Sequence, residues 1–429
     1  MTLLQALDQK LIWHPFSQEA LEPPNVIMTH GLGAYVYDES GKAYLDLVSS
    51  WWVNLHGHAH PDIAASIAQQ AEKLEHIMFA GFSHEPAILL CEQLAKQLPI
   101  HLKKFFFSDN GSTAVEVAIK MAYQYWDILE QPKKLFLSFD GAYHGDTFGA
   151  MALGQSSGFH TPFQDLLFQV LTIPYPDTWE NDTDVLAKEE YAITQLEKTI
   201  EQHQNQIAAM IIEPLIQGSS GMRMCRPEFL EEVVAILRRH QILVIFDEVM
   251  TGFGRTGKNF AVDYIPGEID FICLSKGLSG GFLPLALTVT TTDIYDVFAQ
   301  QSGHYTFAHG HSYTANPLAC AAGLASLKLL ISEKTQQAQT QIASAHQQGF
   351  EILQAQVPHQ LKHFRRLGTI AAFSTSLPIA RNFKHQALFH GLILRPLKHH
   401  LYLIPPYCIS KEECLSAYQI IAKLISEQA

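Results

Sequence analysis

Two residues that could carry out covalent catalysis each follow a short apolar run. Asp247 comes directly after Ile242–Phe246, and Lys276 comes just after Phe271–Leu274. A buried carboxylate is costly unless it is paired, and a protonated ring nitrogen would be a suitable partner. A desolvated lysine loses its proton readily and becomes a nucleophile toward an aldehyde. Taken singly, Asp247 could be a helix cap or an ion-pair partner and Lys276 an edge lysine reaching solvent, but the two together predict a catalytic pair.

A third segment has the features of an anion site. The apolar run Lys104–Phe107 leads into Gly111 and Ser112, where a helical pattern begins. The free amide groups and the dipole of a helix N-terminus favour a phosphate. Thr113 and Glu116 have the spacing of a capping box, so an ordinary capped helix is the alternative for this segment alone.

A fourth segment places an aromatic ring in a glycine-flanked loop. Tyr143 and His144 follow the apolar run Lys134–Phe139. The Tyr143 ring could stack on a flat ligand ring, or it could be a packed surface aromatic.

The elements that must position these residues are strands alternating with helices. Six apolar runs are predicted to be buried strands: Lys104–Phe107, Lys134–Phe139, Ala208–Ile212, Ile242–Phe246, Phe271–Leu274 and Leu285–Thr290. Helical patterns such as Ser112–Leu129 and Pro227–His240 separate several of them, which indicates an α/β fold with a mostly parallel sheet covered on both faces. Ligands of such sheets lie beyond the carboxyl ends of the strands.

The ends of the chain differ from its middle. Gly31–Leu47 alternates and turns at a Glu-Ser-Gly sequence, which predicts a hairpin. We expect an N-terminal segment, residues 1–55, to join a smaller α+β domain formed by residues 325–429. Residues 56–324 would form the large domain.

Composition limits the classes of function. The chain has 429 residues, 47% of them hydrophobic and 17% charged, and a net charge of −13. This composition indicates a globular protein and argues against binding to nucleic acid or to an anionic membrane. Six cysteines without a C-x-x-C pair predict reduced thiols and a cytoplasmic location.

The four segments together resemble the class III aminotransferases, which belong to the fold-type I pyridoxal-phosphate enzymes. The resemblance runs from about Trp13 to Tyr407. It rests on these stretches: WHPF at 13–16, SSWWVNLHGHAHP at 49–61, SDNGSTAVEVAIKMA at 108–122, GAYHGDTFGAM at 141–151, IIEPLIQGSSGM at 211–222, DEVMTGFGRTGK at 247–258, HGHSYTANPLACA at 309–321 and LRPLKHHLYLIPPY at 394–407.

The resemblance implies pyridoxal 5'-phosphate as the cofactor and assigns residues to it. Lys276 matches the Schiff-base lysine and proton shuttle, and Asp247 matches the partner of the pyridine nitrogen. Gly111 and Ser112 match the phosphate cradle. Tyr143 matches the aromatic residue that stacks on the ring, and we count it with the catalytic residues.

The resemblance also implies a substrate pocket. Trp51 and Trp52 match an aromatic wall that suits a long methylene chain, and Arg395 matches the arginine that holds a substrate carboxylate. Arg255 lies near the substrate in similar enzymes. Phe16 stands where relatives that use S-adenosylmethionine usually have a tyrosine.

The resemblance also implies, through Ser312, a homodimer with shared active sites. Ser312 matches a hydroxyl that reaches the phosphate from the neighbouring subunit, and Gly310 in the same segment is expected at the substrate site.

The stretches with the double tryptophan and with Arg395 are typical of the branch of this family that converts 8-amino-7-oxononanoate to 7,8-diaminononanoate in biotin synthesis. A ping-pong reaction through pyridoxamine phosphate is implied, with S-adenosylmethionine as the amino donor. Because Phe16 lacks the hydroxyl, lysine is an alternative donor. Other class III enzymes, acting on ω-amino acids or diamines, are the closest alternative function.

Two alternative functions, a metalloenzyme and a non-enzymatic binding protein, belong to other classes of protein. The alternation of His56, His58 and His60 would place three imidazoles on one strand face, where a metal site is conceivable, although clustered cysteine or carboxylate partners are missing. We predict no metal. A non-enzymatic binding protein of this fold would be expected to have lost Lys276 or Asp247, and both are present.

Overall fold

The largest sheet has seven strands and is mostly parallel. The computed structural model describes residues 1–154, 158, 160–300 and 305–427. Side by side, the strands are β4 (Leu102–Ser108), β12 (Ala286–Thr291), β11 (Phe271–Leu274), β10 (Leu243–Asp247), β7 (Ile207–Ile212), β5 (Leu135–Phe139) and β6 (Val170–Ile173). Only β12 runs antiparallel to its neighbours. The predicted α/β fold is confirmed, and all six predicted strands form; β6 was not predicted.

The register of the sheet brings the two predicted catalytic residues to one edge. Asp247, the last residue of β10, lies beside Cys273 of β11 in a parallel pairing. Lys276 follows three residues after Cys273, so both side chains emerge at the carboxyl ends of neighbouring strands. Strands β10, β11 and β7 are buried along their whole length because helices cover both faces.

The helices are mostly amphipathic, as expected of elements that pack against a sheet. They are α1 (Leu3–Leu11), α2 (Ser49–Trp52, a single turn whose four residues have positive φ angles), α3 (Pro61–Ala71), α4 (Glu85–Leu94), α5 (Gly111–Ile128), α6 (Phe148–Leu153), α7 (Val185–Gln202), α8 (Pro227–Arg239), α9 (Thr292–Phe298), α10 (Pro317–Leu330), α11 (Glu333–Gln356), α12 (Phe383–Phe389) and α13 (Lys411–Ser426). None of them, within the described residues, is long and apolar enough to cross a membrane.

Among the described residues there are three smaller sheets, and two of them involve the chain ends. One consists of β1 (Met28–Leu32), β2 (Tyr35–Asp38), β3 (Ala43–Asp46) and β15 (Leu392–Ile393); another of β13 (Leu361–Leu367), β14 (Ile370–Thr375) and β16 (His400–Leu403); the third of β8 (Ile216–Gln217) and β9 (Arg223–Met224). The predicted hairpin is confirmed by the antiparallel pairing of β2 and β3. Strand β15 lies parallel to β3, so the two ends of the chain share a sheet. The domain boundaries stay a prediction.

Two local predictions were wrong. Helix α5 begins at Gly111 and is capped by Asn110, whose extended backbone lets its side chain accept from the Thr113 amide; Thr113 is therefore the third helical residue and not the cap. Its predicted partner Glu116 instead accepts from the hydroxyl of Thr147, just before α6, and from the amide of Gly149 in the first turn of α6.

The alternating histidines also differ from the prediction. Residues 53–60 form no strand, so the three rings do not share a strand face. His56 lies within hydrogen-bonding distance of the Ser326 hydroxyl, and His58 bonds to the buried carboxylate of Asp46. Among the described residues no group of three or more His, Cys, Asp or Glu side chains could hold a metal ion.

Candidate active site

A cavity of about 410 Å³ lies at the carboxyl ends of the central strands. It is bounded by the segments that follow β10 and β11, by the start of α5 and by the loop after β5. The predicted site residues that line it are Trp52, Gly111, Ser112, Tyr143, Asp247 and Lys276. The structure thus brings together residues that are far apart in the sequence.

Lys276 reaches this cavity from a strained backbone position. It begins a short 3-10 turn after β11 and has a φ of 44°. Burial lowers the pKa of its amine to about 8, although the carboxylates of Asp247 and Glu213 act in the opposite direction. Its nitrogen lies 4.6 Å from the centre of the Trp52 ring. An amine with this pKa is a nucleophile and a proton acceptor close to neutral pH.

Asp247 is held by two donors on its own side of the cavity. Its Oδ2 lies 2.7 Å from Nδ1 of the buried His144, and its Oδ1 accepts from the Val249 amide at 3.1 Å. The side chain is almost fully buried but lines the cavity. These bonds fix the direction of a carboxylate that can stabilise a cation inside the cavity.

The loop after β5 is fixed by a second buried carboxylate. Glu213 follows β7 and accepts from the amides of Tyr143, at 3.1 Å, and Gly218, at 3.0 Å. Burial raises the pKa of Glu213 to about 7. The hydroxyl of Tyr143 donates to Asp146 at 2.9 Å, and burial raises the pKa of this phenol.

The start of α5 forms the polar end of the cavity. The amides of Gly111 and Ser112, at the first two helical positions, have no acceptor within the helix. An added Cβ at Gly145 would collide with Ser112, so the loop backbone approaches the helix closely. This end fits a phosphate, and the cavity as a whole fits a flat phosphorylated aldehyde, for which Lys276 would be the amine and Asp247 the partner of a protonated ring nitrogen.

A second cavity, of about 310 Å³, adjoins the first and shares Trp52, Tyr143 and Lys276 with it. It is also lined by Phe16, Trp51, Asp146 and Arg395. The guanidinium carbon of Arg395 lies 4.0 Å from the centre of the Trp51 ring and 5.8 Å from that of Phe16.

Three predicted residues lie outside both cavities. Arg255 is buried and donates to the carbonyls of Pro405, at 2.8 Å, and Asn54, at 3.0 Å. It therefore contacts the backbone around the double tryptophan and does not line the pocket. Gly310 and Ser312 are exposed in the segment before α10.

Three residues of the site had no role predicted from the sequence: His144, Asp146 and Glu213. A signal existed for Glu213, because it directly follows the apolar run of β7 just as Asp247 follows that of β10. His144 and Asp146 gave no such signal, since the contact of His144 with Asp247 and those of Asp146 with Tyr143 and Ser112 depend on how the loop after β5 folds.

Comparison with known proteins identifies the family. The model of the class III aminotransferases matches residues 16–425. The adenosylmethionine-8-amino-7-oxononanoate aminotransferase of Synechococcus elongatus is 51% identical over 97% of this chain and 98% of its own.

Two solved structures are similar as well. That of the adenosylmethionine-8-amino-7-oxononanoate aminotransferase of Methanocaldococcus jannaschii has a TM-score of 0.91 at 34% identity and covers 99% of both chains. An amine transaminase of an uncultivated Pseudomonas species in its PLP-bound form has a TM-score of 0.90 at 29% identity, over 98% of this chain and 99% of its own. The chain therefore belongs to the class III aminotransferases, enzymes that depend on pyridoxal 5'-phosphate.

Proposed function

We propose that this enzyme converts 8-amino-7-oxononanoate to 7,8-diaminononanoate in biotin synthesis, with S-adenosylmethionine as the amino donor. The observation that carries the proposal is the second cavity, in which Arg395 stacks on Trp51 beside the opening to Lys276. The names of the Synechococcus and Methanocaldococcus relatives support the same reaction.

The residues of the first cavity account for the amino transfer. Pyridoxal 5'-phosphate, when bound, supplies an aldehyde and an electron sink. Lys276 would hold its aldehyde and would move the proton at the substrate carbon that bears nitrogen. Asp247, oriented by His144, would stabilise a positive charge at the ring nitrogen. Gly111 and Ser112 would hold the phosphate.

Two side chains shape the cofactor pocket around this chemistry. The ring of Tyr143 would form a wall against the flat ring of the cofactor, and Trp52 would exclude water from the amine of Lys276. A desolvated site strengthens each electrostatic contact within it.

The residues of the second cavity account for substrate recognition. The planar guanidinium of Arg395 can bind a carboxylate with two parallel hydrogen bonds. Stacking on Trp51 leaves the edge of the guanidinium for that contact and limits its motion. The ring of Trp51 would also pack on the methylene chain that separates the carboxylate from the reacting carbon. Arg255 would act on this pocket through the backbone it supports.

Phe16 is relevant to the identity of the amino donor. Its ring packs edge-on against Trp51, with centroids 5.4 Å apart, and lines the second cavity. A phenyl ring offers no hydroxyl to a polar donor such as S-adenosylmethionine. Lysine is therefore the alternative donor for the same reaction.

We also propose a homodimer in which each site uses both chains. Ser312 would reach the phosphate and Gly310 the substrate pocket of the partner. Support comes from the surface beside them, because Tyr313, Met78 and Phe82 are large apolar side chains left exposed in the single chain. The ring of Tyr313 lies 5.4 Å from that of His76, which places these segments together. We place the enzyme in the cytoplasm, since all six cysteines are free thiols.

An assay with the purified, cofactor-loaded enzyme tests this proposal. The enzyme is mixed with 8-amino-7-oxononanoate and either S-adenosylmethionine or lysine, and the diamine product is measured. Product with the first donor supports the whole proposal, and product with lysine alone corrects only the donor. Turnover of ornithine, 4-aminobutyrate or a diamine without any 7,8-diaminononanoate would contradict the proposal.

A further inference from the structure

The double tryptophan lies on a left-handed turn. Four consecutive residues without glycine have positive φ angles: Ser49 at 49°, Ser50 at 46°, Trp51 at 69° and Trp52 at 74°. Side chains on Cβ make this conformation unfavourable for every L-residue, and it normally occurs at single positions. A run of four therefore needs strong external support.

Asp46, the last residue of β3, supplies much of that support. Its carboxylate is fully buried and accepts from the Val48 amide at 3.2 Å and the Ser50 hydroxyl at 2.9 Å. The same carboxylate bonds to Nε2 of His58 at 3.0 Å. Three donors, one before the turn, one within it and one after it, thus bond to a single carboxylate.

His58 connects this carboxylate to the far end of the turn. The side-chain nitrogen Nδ2 of Asn54 lies 3.3 Å from Nδ1 of His58. Because Nδ2 can only donate, Nδ1 is the acceptor and Nε2 donates to Asp46. The Asn54 side-chain oxygen accepts from Gly57 at 2.8 Å. Asp46, His58 and Asn54 therefore bracket the turn from both sides.

We propose that Asp46 is a positioning residue that holds the turn, and with it the aromatic wall, in the shape that recognises the acceptor substrate. The proposal rests on the proposed function for its kinetic consequence only. Trp51 and Trp52 belong to one turn, and their rings contact Arg395 and Lys276 respectively. Relaxation of the turn would therefore disturb the carboxylate end of the pocket.

The two tryptophans should depend on Asp46 to different degrees. Trp52 is 4% exposed, and its indole nitrogen lies 3.3 Å from the Tyr402 hydroxyl, so packing also holds it. Trp51 is 38% exposed and has mainly Phe16 and Arg395 against its ring. Loss of the Asp46 carboxylate should displace Trp51 more than Trp52.

The test combines Asp46→Asn with two substitutions at Ser50. An asparagine replaces one acceptor oxygen by a donor and so cannot serve all three donors. Ser50→Gly makes positive φ cheap at that position, whereas Ser50→Ala removes the same hydroxyl and keeps the cost. The two double variants therefore differ only in the backbone preference of residue 50.

The first readout does not need the proposed activity. The holoenzyme is labelled with 5-fluorotryptophan, and its five resonances are assigned by single Trp→Phe changes. Asp46→Asn should shift or broaden the Trp51 signal most and leave those of Trp126 and Trp179 in place. Adding Ser50→Gly should restore the Trp51 signal, and adding Ser50→Ala should not.

The second readout is kinetic. Asp46→Asn should raise the KM for 8-amino-7-oxononanoate about tenfold, as expected for a lost charged hydrogen bond, with a smaller change in kcat. Adding Ser50→Gly to Asp46→Asn should bring the KM most of the way back to the wild-type value. An unchanged Trp51 resonance in Asp46→Asn, or equal rescue by alanine and glycine, would overturn the proposal.

Two further outcomes remain decisive. If Asp46→Asn does not fold, the two single variants at Ser50 test the proposal. Ser50→Ala should shift the Trp51 resonance, and Ser50→Gly should leave it in place. If the wild-type enzyme does not use 8-amino-7-oxononanoate, the proposed function fails while the fluorine spectra still test the role of Asp46.

Discussion

The two cavities of the site are built in different ways. The cofactor cavity is formed at the ends of central strands, where the register of β10 and β11 places Asp247 and Lys276 side by side. The substrate cavity adds to residues of the large sheet's edge a wall of Phe16, Trp51 and Arg395, which come from the two ends of the chain. These ends meet because β15 pairs with β3.

The difference suggests which parts of such an enzyme can vary. Residues at the ends of buried strands are fixed by the sheet, so the chemistry at the cofactor end is rigidly positioned. The substrate wall depends on a strained turn and on a small sheet, so modest changes there should alter recognition without abolishing the chemistry.

The largest effect is expected at Lys276. Lys276→Ala should reduce the overall rate by at least about 10⁴-fold, because both the nucleophile and the proton-transfer group are lost. The rate of a single half-reaction with the amino donor, followed by the visible absorption of the bound cofactor, measures this loss.

Lys133→Met is the matched control. Lys133 is another buried lysine whose pKa burial lowers to about 8, but it packs on Trp126 away from both cavities. A comparable loss of rate in this variant would argue against a special role for Lys276.

The second-largest loss of rate is expected at Asp247. Asp247→Asn removes the negative charge while keeping the shape, and should slow the half-reaction about 10²- to 10⁴-fold. Cofactor content, measured by absorbance after gel filtration, should remain substantial because the phosphate end is unchanged. Asp270→Asn, at the opposite end of the sheet and also buried, is the control; equal effects would contradict the assignment.

At the substrate end we expect a change in recognition. Arg395→Met should raise the KM for 8-amino-7-oxononanoate about 10- to 100-fold, the range for a lost charge-assisted pair. The KM of Arg395→Lys should lie between those of the wild type and of Arg395→Met, since lysine keeps the charge but lacks the planar guanidinium. Steady-state kinetics measure these changes, and Arg381→Met, which replaces an exposed arginine, is the control. A fall in kcat without a rise in KM would contradict a role of Arg395 in substrate recognition.

The smallest effect concerns pH. The pKa of Lys276 is lowered to about 8, so its amine becomes neutral as the pH rises through that value. The rate at which the apoenzyme takes up pyridoxal 5'-phosphate should increase with pH, with a midpoint near pH 8, and then level off. Glu213→Gln removes a charge that raises this pKa and should move the midpoint lower. A rate still rising toward pH 10 would contradict a desolvated amine.

The sequence predicted the cofactor cavity better than the substrate cavity, for a physical reason. Continuous apolar runs mark buried strands, and the strand-end rule then locates Lys276 and Asp247. Strand β6 was missed because it is short and only partly buried. The left-handed turn gives no local signal, since Ser49–Trp52 contains no glycine, and it depends on hydrogen bonds from β3 that are set by tertiary structure.

The central claim is that the amine of Lys276 carries the cofactor, and borohydride tests it most directly. Reduction of the cofactor-loaded enzyme, followed by proteolysis and mass spectrometry, should place one pyridoxyl group on the peptide that contains Lys276. A pyridoxyl group on Lys133, on any other lysine, or on no residue would contradict the account.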